Sequence, residues 1–288
     1  MNYAQLKQEI FYYFRSNLAD ITRNIQAQPI PQGKKSTLIN QAVESVKNDL
    51  GYILTNKYPN LDRSKTFMLL QYCYSVISFE YRNIVWPYEY MAFSRRNGEL
   101  WERFCKAAWD HSLLPNLYRI QAPSFNEVRN SFRDRIINYT QGNQYQNNIV
   151  NDVDSVFELV GDINMIEDEM FNLNGRNHII DFKSGFGSNE KGNTLRLIAV
   201  GRAYKHWDPN VNLLFLVRQN ENNNYLETIR RSNLWDVHCG DAAYRKIDEL
   251  TNAGISEIRR EAIDFRNDLS PGFWNYLVDN NLTHYLDW

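Results

Sequence analysis

Paired cysteines are missing from this chain. Cys73, Cys105 and Cys239 stand far apart with no C-x-x-C spacing, which excludes a disulfide framework and a zinc motif. No apolar run approaches the roughly 18 residues of a membrane span. The opening MNYAQLKQEI also lacks the basic-then-apolar order of a signal peptide. Together these absences lead us to expect a cytoplasmic protein with no membrane partner. An excess of one charge is lacking too: 32 Lys plus Arg stand against 34 Asp plus Glu, so contact with a polyanion must be local. His111, His178, His206, His238 and His284 have no metalloprotease spacing, and no G-x-S-x-G elbow occurs. The glycine-rich GFGSNEKGN is not a phosphate loop, since GxxxxGK[ST] is absent and Glu190 replaces the third glycine of a dinucleotide fingerprint. No nucleotide cofactor is expected.

With 43% of its 288 residues hydrophobic and 23% charged, the chain can bury the core of one large domain or of two closely packed ones. Its first part has helical periodicity. Leu6, Ile10, Phe14, Leu18, Ile21 and Ile25 recur at three- and four-residue steps, and after the break at PIPQGKKS so do Ile39, Val43, Val46, Leu50 and Ile53, with Ser36 as candidate N-cap. A largely apolar helix from Lys65 to Phe79 should be central. Pro87 marks a connection, and RRNGELWERFCKAAWDHS reads as another helix.

SFNEVRNSFRDRII has helical spacing, whereas YTQGNQYQNNIVND reads as a polar loop. From Val153 the pattern changes to short strand-like runs, VFELV, DINMI and HIIDF, with Asn174-Gly175 among the turn residues. A helix from about Asn193 to Lys205 and the buried-strand pattern NLLFLV follow, so strand, helix and strand form a crossover unit of a mixed α/β sheet. From Asp241 the sequence is helical and aromatic-rich again.

The chemistry-bearing stretch is GDINMIEDEMFNLNGRNHIIDFKSG. Asp162 opens one candidate strand, and Asp181 and Lys183 close another on a shared face, with Ile180 and Phe182 pointing the other way. Two carboxylates converging from neighbouring strands suit a hard cation such as Mg²⁺, and an ammonium beside them stabilises charge developing on phosphorus. None of the other ten lysines has an acid two positions earlier.

This segment resembles the PD-(D/E)xK nuclease superfamily, with Asp162 matching the first acid, Asp181-Phe182-Lys183 the second half, and Gly161 in place of the leading proline. The resemblance spans about residues 98 to 217 and is closest in general character to type II restriction endonucleases. It implies a restriction-endonuclease-like mixed central sheet flanked by helices, with a helical N-terminal region (1–92), a nuclease core (93–240) and a helical C-terminal segment (241–288) packed on that core. It also implies Mg²⁺ held by Asp162 and Asp181, and a further acid on the preceding helix, Glu102 or, in its place, Glu99. The ordinary role of Glu102 is an i+4 ion pair with Lys106. If Asn174-Gly175 closes a tight two-residue turn, strict pairing faces Asp181 with Asp168 and makes Asp168 the first acid. The family-like context of GDINMI favours Asp162.

Between Phe182 and Lys205 the charges are Lys183, Lys191, Arg196, Arg202 and Lys205 against Glu190 alone. Lys191, Asn193, Arg196 and Arg202, with Arg95 and Arg96, are candidate DNA-phosphate contacts; a solvated basic helix face is the plain alternative. The resulting expectation is a Mg²⁺-dependent type II restriction endonuclease, a homodimer on double-stranded DNA that leaves 5′-phosphate and 3′-hydroxyl ends. Its rivals are a structure-specific repair or recombination nuclease and a non-catalytic DNA-binding protein.

Overall fold

Helix α1 (Tyr3–Ala27) buries Leu6, Ile10, Phe14, Leu18 and Ile25 along one stripe, as their spacing predicts. Ile21 turns outward, and Thr22 is buried instead. The structure, a computed structural model, describes residues 2–59, 61–185, 191–220 and 224–288. Helix α2 (Gln32–Lys57) starts ahead of Ser36: Pro31 takes the N-cap position and Ser36 is buried within the helix. Proline at a helix start gives up no backbone bond, so the break in PIPQGKKS ends at Pro31. Helix α3 (Arg63–Val85) is capped by the Asp62 carboxylate, which accepts from the Lys65 N–H at 3.1 Å, and is buried without interruption from Met68 to Glu80. Helix α4 (Tyr90–Asp110) follows the connection at Pro87 and buries Leu100, Phe104 and Ala108.

Glu44 on α2 ties these helices together. It accepts from the Tyr74 hydroxyl at 2.7 Å, from Lys47 at 2.9 Å and from Arg103 at 3.0 Å. Burial pushes its carboxyl up, but the Tyr74 hydroxyl, Lys47 and Arg103 outweigh that and hold it down at about 2. Because the folded value lies below the ordinary one of 4.5, its stabilising contribution is present above pH 4.5 and is lost as pH falls towards 2. Glu44→Gln is therefore expected to flatten the loss of stability across that window, measured as denaturant midpoint against pH. A slope identical to wild type refutes this.

The next stretch contains β1 (Leu117–Arg119), α5 (Phe125–Tyr139), α6 (Gln146–Val160), β2 (Glu169–Leu173), β3 (Arg176–Lys183), α7 (Lys191–Trp207), β4 (Asn212–Val217), α8 (Asn224–Arg231) and β5 (Asp236–Cys239). The strands form one five-stranded mixed sheet in chain order. The pairs β1·β2 and β2·β3 are antiparallel, and β3·β4 and β4·β5 are parallel, with α7 and α8 as crossovers. Ile179, Leu213, Phe215 and Val217 pack on one face against Leu197, Val200 and Tyr204 of α7 and Phe125 and Val128 of α5. Ile180, Phe182, Leu214 and Leu216 alternate with them and are buried as well, so NLLFLV is apolar along nearly its whole length.

Two expected strands are absent from this sheet. VFELV is the last turn of α6, and DINMI is irregular chain. The winning signal is the helical step from Val150 through Val153 to Phe157, whose ring packs on Phe125 and Phe132 with centroids 5.9 and 5.8 Å apart. The polar loop expected up to Asp152 accordingly ends at Tyr145, where α6 begins. Most of the glycine-rich stretch after Lys183, residues 186–190 with Glu190, lies outside the described residues.

The chain ends in α9 (Asp241–Thr251), α10 (Ile255–Ala262), the single-turn α11 (Phe265–Asp268), α12 (Pro271–Asp279) and a 3-10 turn at Thr283–Leu286. These elements return to the first four helices. Asp268 accepts from Lys7 at 2.8 Å and from the Tyr72 hydroxyl at 2.7 Å, the Trp101 indole donates to the Tyr244 hydroxyl at 2.8 Å, and the Trp288 indole donates to Asn97 at 2.8 Å. The chain thus forms two units, one from Met1–Leu114 with Gly240–Trp288 and one from Pro115–Cys239. By this division α4, expected within the core of residues 93–240, and the C-terminal segment 241–288 both fall in the helical unit. Both segments carry aromatic residues whose partners lie more than a hundred positions away. Among the described residues, no helix is long and apolar enough to cross a membrane.

Candidate active site

The β2–β3 hairpin is closed by Asn174 and Gly175 with φ of +53° and +81°, the paired left-handed conformation of a two-residue type I′ turn. It fixes the register as Leu173↔Arg176, Asn172↔Asn177, Phe171↔His178, Met170↔Ile179 and Glu169↔Ile180. One step further brings Asp168 opposite Asp181. There the ladder passes from main chain to side chain, since the Phe182 N–H donates to the Asp168 carboxylate at 2.7 Å.

Asp162 lies outside this arrangement. Gly161, at φ +72°, receives the end of α6 as its C-cap, with its N–H on the Phe157 carbonyl at 3.0 Å. Asp162 therefore follows a helix end and opens no strand. It is exposed, and no described residue hydrogen-bonds or ion-pairs with it. Glu167 is the acid in contact with Asp181, and Asp168 is the one opposite it when the hairpin register is carried one step further; Asp162 is in neither place.

Asp181 is buried, and so is Glu167 beside it. Arg196 reaches both from α7: Nη1 and Nη2 donate to the two oxygens of Glu167 at 2.7 and 3.1 Å, and Nη2 donates to Asp181 at 2.7 Å. Burial holds the Asp181 carboxyl well above its ordinary range. Glu167 pushes it the same way, while Arg196 and Lys183 pull it down. Lys183 lies two residues along β3 on the side of Asp181 and is half-buried. Tyr204 of α7 anchors the segment leading to β2 by donating to the Met165 carbonyl.

Arg196 is therefore committed to two acids, with its side chain 36% exposed. Asn193 is half-buried beside it, 3.5 Å from its Nε, whereas Lys191 and Arg202 are exposed on α7. The remaining expected residues fall on α4 in the helical unit. Glu102 is ion-paired to Lys106 at 2.6 Å, the ordinary i+4 role. Arg95 pairs with Glu99 at 3.0 Å, and Arg96 is held by Glu99 and the Ser78 hydroxyl at 3.3 and 2.6 Å, so Glu99 is also engaged.

Among the described residues, no group of three or more His, Cys, Asp or Glu forms a metal-binding cluster. Mg²⁺, however, needs only one or two carboxylates and completes its shell with water and phosphate oxygen, so Asp181 with Asp168, one register step beyond the last strand pair, would meet that minimum.

No family model, curated protein or solved structure matches this chain.

Proposed function

We propose that this chain is a Mg²⁺-dependent deoxyribonuclease of the PD-(D/E)xK kind, with a restriction-endonuclease-like core in residues 115–239 and Asp168, Asp181 and Lys183 as its catalytic residues. The observation that carries this reading is the register of the β2–β3 hairpin, which, carried one step past its last pair, sets Asp168 opposite Asp181 with Lys183 two residues beyond it. The order helix, antiparallel hairpin, crossover helix and parallel strand supports the fold assignment.

In this reading Asp168 and Asp181 would hold Mg²⁺, which would supply Lewis-acid polarisation of phosphate oxygen and activation of water. The Lys183 ammonium orients the attacking water and stabilises charge gathering on the non-bridging oxygens. Water adds to phosphorus, the bond to the 3′ oxygen breaks in line, and that oxygen takes up a proton, leaving 5′-phosphate and 3′-hydroxyl ends. Lys191 and Arg202 on α7 contact neighbouring phosphates. Type II restriction is the biological role we favour, by analogy of size and domain additions. A homodimer belongs to it, because a palindromic site presents the same face twice.

Purified protein incubated with long duplex DNA and Mg²⁺ is expected to give discrete fragments, abolished by EDTA. A smear, or cutting confined to junctions, replaces the restriction role with structure-specific cleavage. No cutting under any divalent ion refutes the enzyme altogether.

A further inference from the structure

Arg196 makes an asymmetric contact with the carboxylate centre. Two of its hydrogen bonds, at 2.7 and 3.1 Å, go to Glu167, and one, at 2.7 Å, goes to Asp181. The two acid side chains are 2% and 9% exposed, whereas that of Arg196 is 36% exposed, so the guanidinium borders solvent and the acids do not. A bidentate carboxylate is the strongest seat a guanidinium finds in a protein. The bond to Asp181 is the one that can be given up while Glu167 still holds the side chain.

We propose that Arg196 is a built-in counter-cation of this centre, anchored on Glu167 and occupying Asp181 until a divalent ion displaces it from that one carboxylate. The inference rests on the metal-dependent reading above and extends it to two residues outside the catalytic set. Without the guanidinium, Glu167 and Asp181 are two carboxylates side by side in a buried place, an arrangement that favours any cation able to enter. With it, an entering ion meets a positive charge a few ångströms away and must exchange with a hydrogen bond already made. Glu167 and Arg196 are accordingly positioning residues: they set how readily the centre loads.

The test uses Mn²⁺ alone as probe on the full chain, with calorimetric titration and thermal unfolding of wild type, Arg196→Gln and Arg196→Lys. Arg196→Gln is expected to bind Mn²⁺ at least about tenfold tighter than wild type, the scale of one removed neighbouring charge. It should also melt lower than wild type in EDTA and recover most of that loss when Mn²⁺ is added, because a bound ion stabilises the folded state by mass action. A purely structural ion pair predicts the same loss with and without Mn²⁺, and that result, or unchanged Mn²⁺ affinity, overturns the proposal. Should Arg196→Gln not fold, Arg196→Lys decides. It keeps a charge but cannot grip both Glu167 oxygens, so tighter Mn²⁺ binding supports the proposal and unchanged binding overturns it. A wild type that cleaves DNA, with no gain in either variant, removes the counter-cation role and leaves the nuclease reading intact. Absence of both Mn²⁺ binding and cleavage in every form removes the nuclease reading, and the counter-cation role with it.

Discussion

Asp168→Asn and Asp181→Asn are each expected to lower Mg²⁺-dependent cleavage of duplex DNA on the order of a thousandfold, the scale of losing one electrostatic element of a phosphoryl-transfer site. Asp162→Asn is expected to stay within about twofold of wild type, since its exposed side chain touches nothing in the sheet. Asn keeps the shape of Asp, and the Phe182 N–H still finds a side-chain oxygen at position 168, so the two damaging variants should melt near the wild-type temperature. The comparison is measured as single-turnover rate on one substrate, with circular dichroism as the folding control. A severe loss in Asp162→Asn together with a mild one in Asp168→Asn would restore the family-like context of GDINMI over hairpin register.

The second large effect concerns stability. Phe79 on α3 is fully buried, with ring centroids 5.1 Å from Phe93, 6.3 Å from Tyr88 and 6.4 Å from Phe265. Phe79→Ala removes a ring from the centre of this aromatic cluster and is expected to cost about 3–5 kcal/mol, from lost transfer energy and the cavity left behind. Guanidinium unfolding monitored by tryptophan fluorescence reads this as a lowered midpoint. A cost below about 1 kcal/mol is incompatible with an interior role at this position.

Much of the helical unit was legible as periodicity, because one stripe of Leu6, Ile10, Phe14 and Leu18 needs only local spacing to be recognised. The parallel strand NLLFLV and the crossover helix before it were legible for the same reason. VFELV was not, because five apolar-rich residues fit a strand and a helix end equally well, and the aromatic partners of Phe157 lie elsewhere in the chain. Asp181 and Lys183 could be found from their spacing, and Asp168 by counting outward from Asn174-Gly175. Glu167 and Arg196 were hidden for different reasons. Glu167 sits in an acidic run that reads as solvated chain, and Arg196 sits among basic residues that read as a surface. Only the approach of α7 to the hairpin end turns these two into partners. The C-terminal placement was out of reach because nothing local says which helices Phe265 and Trp288 will meet.

The α/β unit is continuous in sequence, whereas the helical unit is assembled from pieces on either side of it. During synthesis, residues 115–239 can therefore complete their sheet as soon as β5 clears the ribosome. Helices α1 to α4 emerge earlier yet must wait, with apolar surface uncovered, for the last fifty or so residues to arrive. The half of the protein made first is the half that finishes last, and in that interval the nascent chain is most open to aggregation.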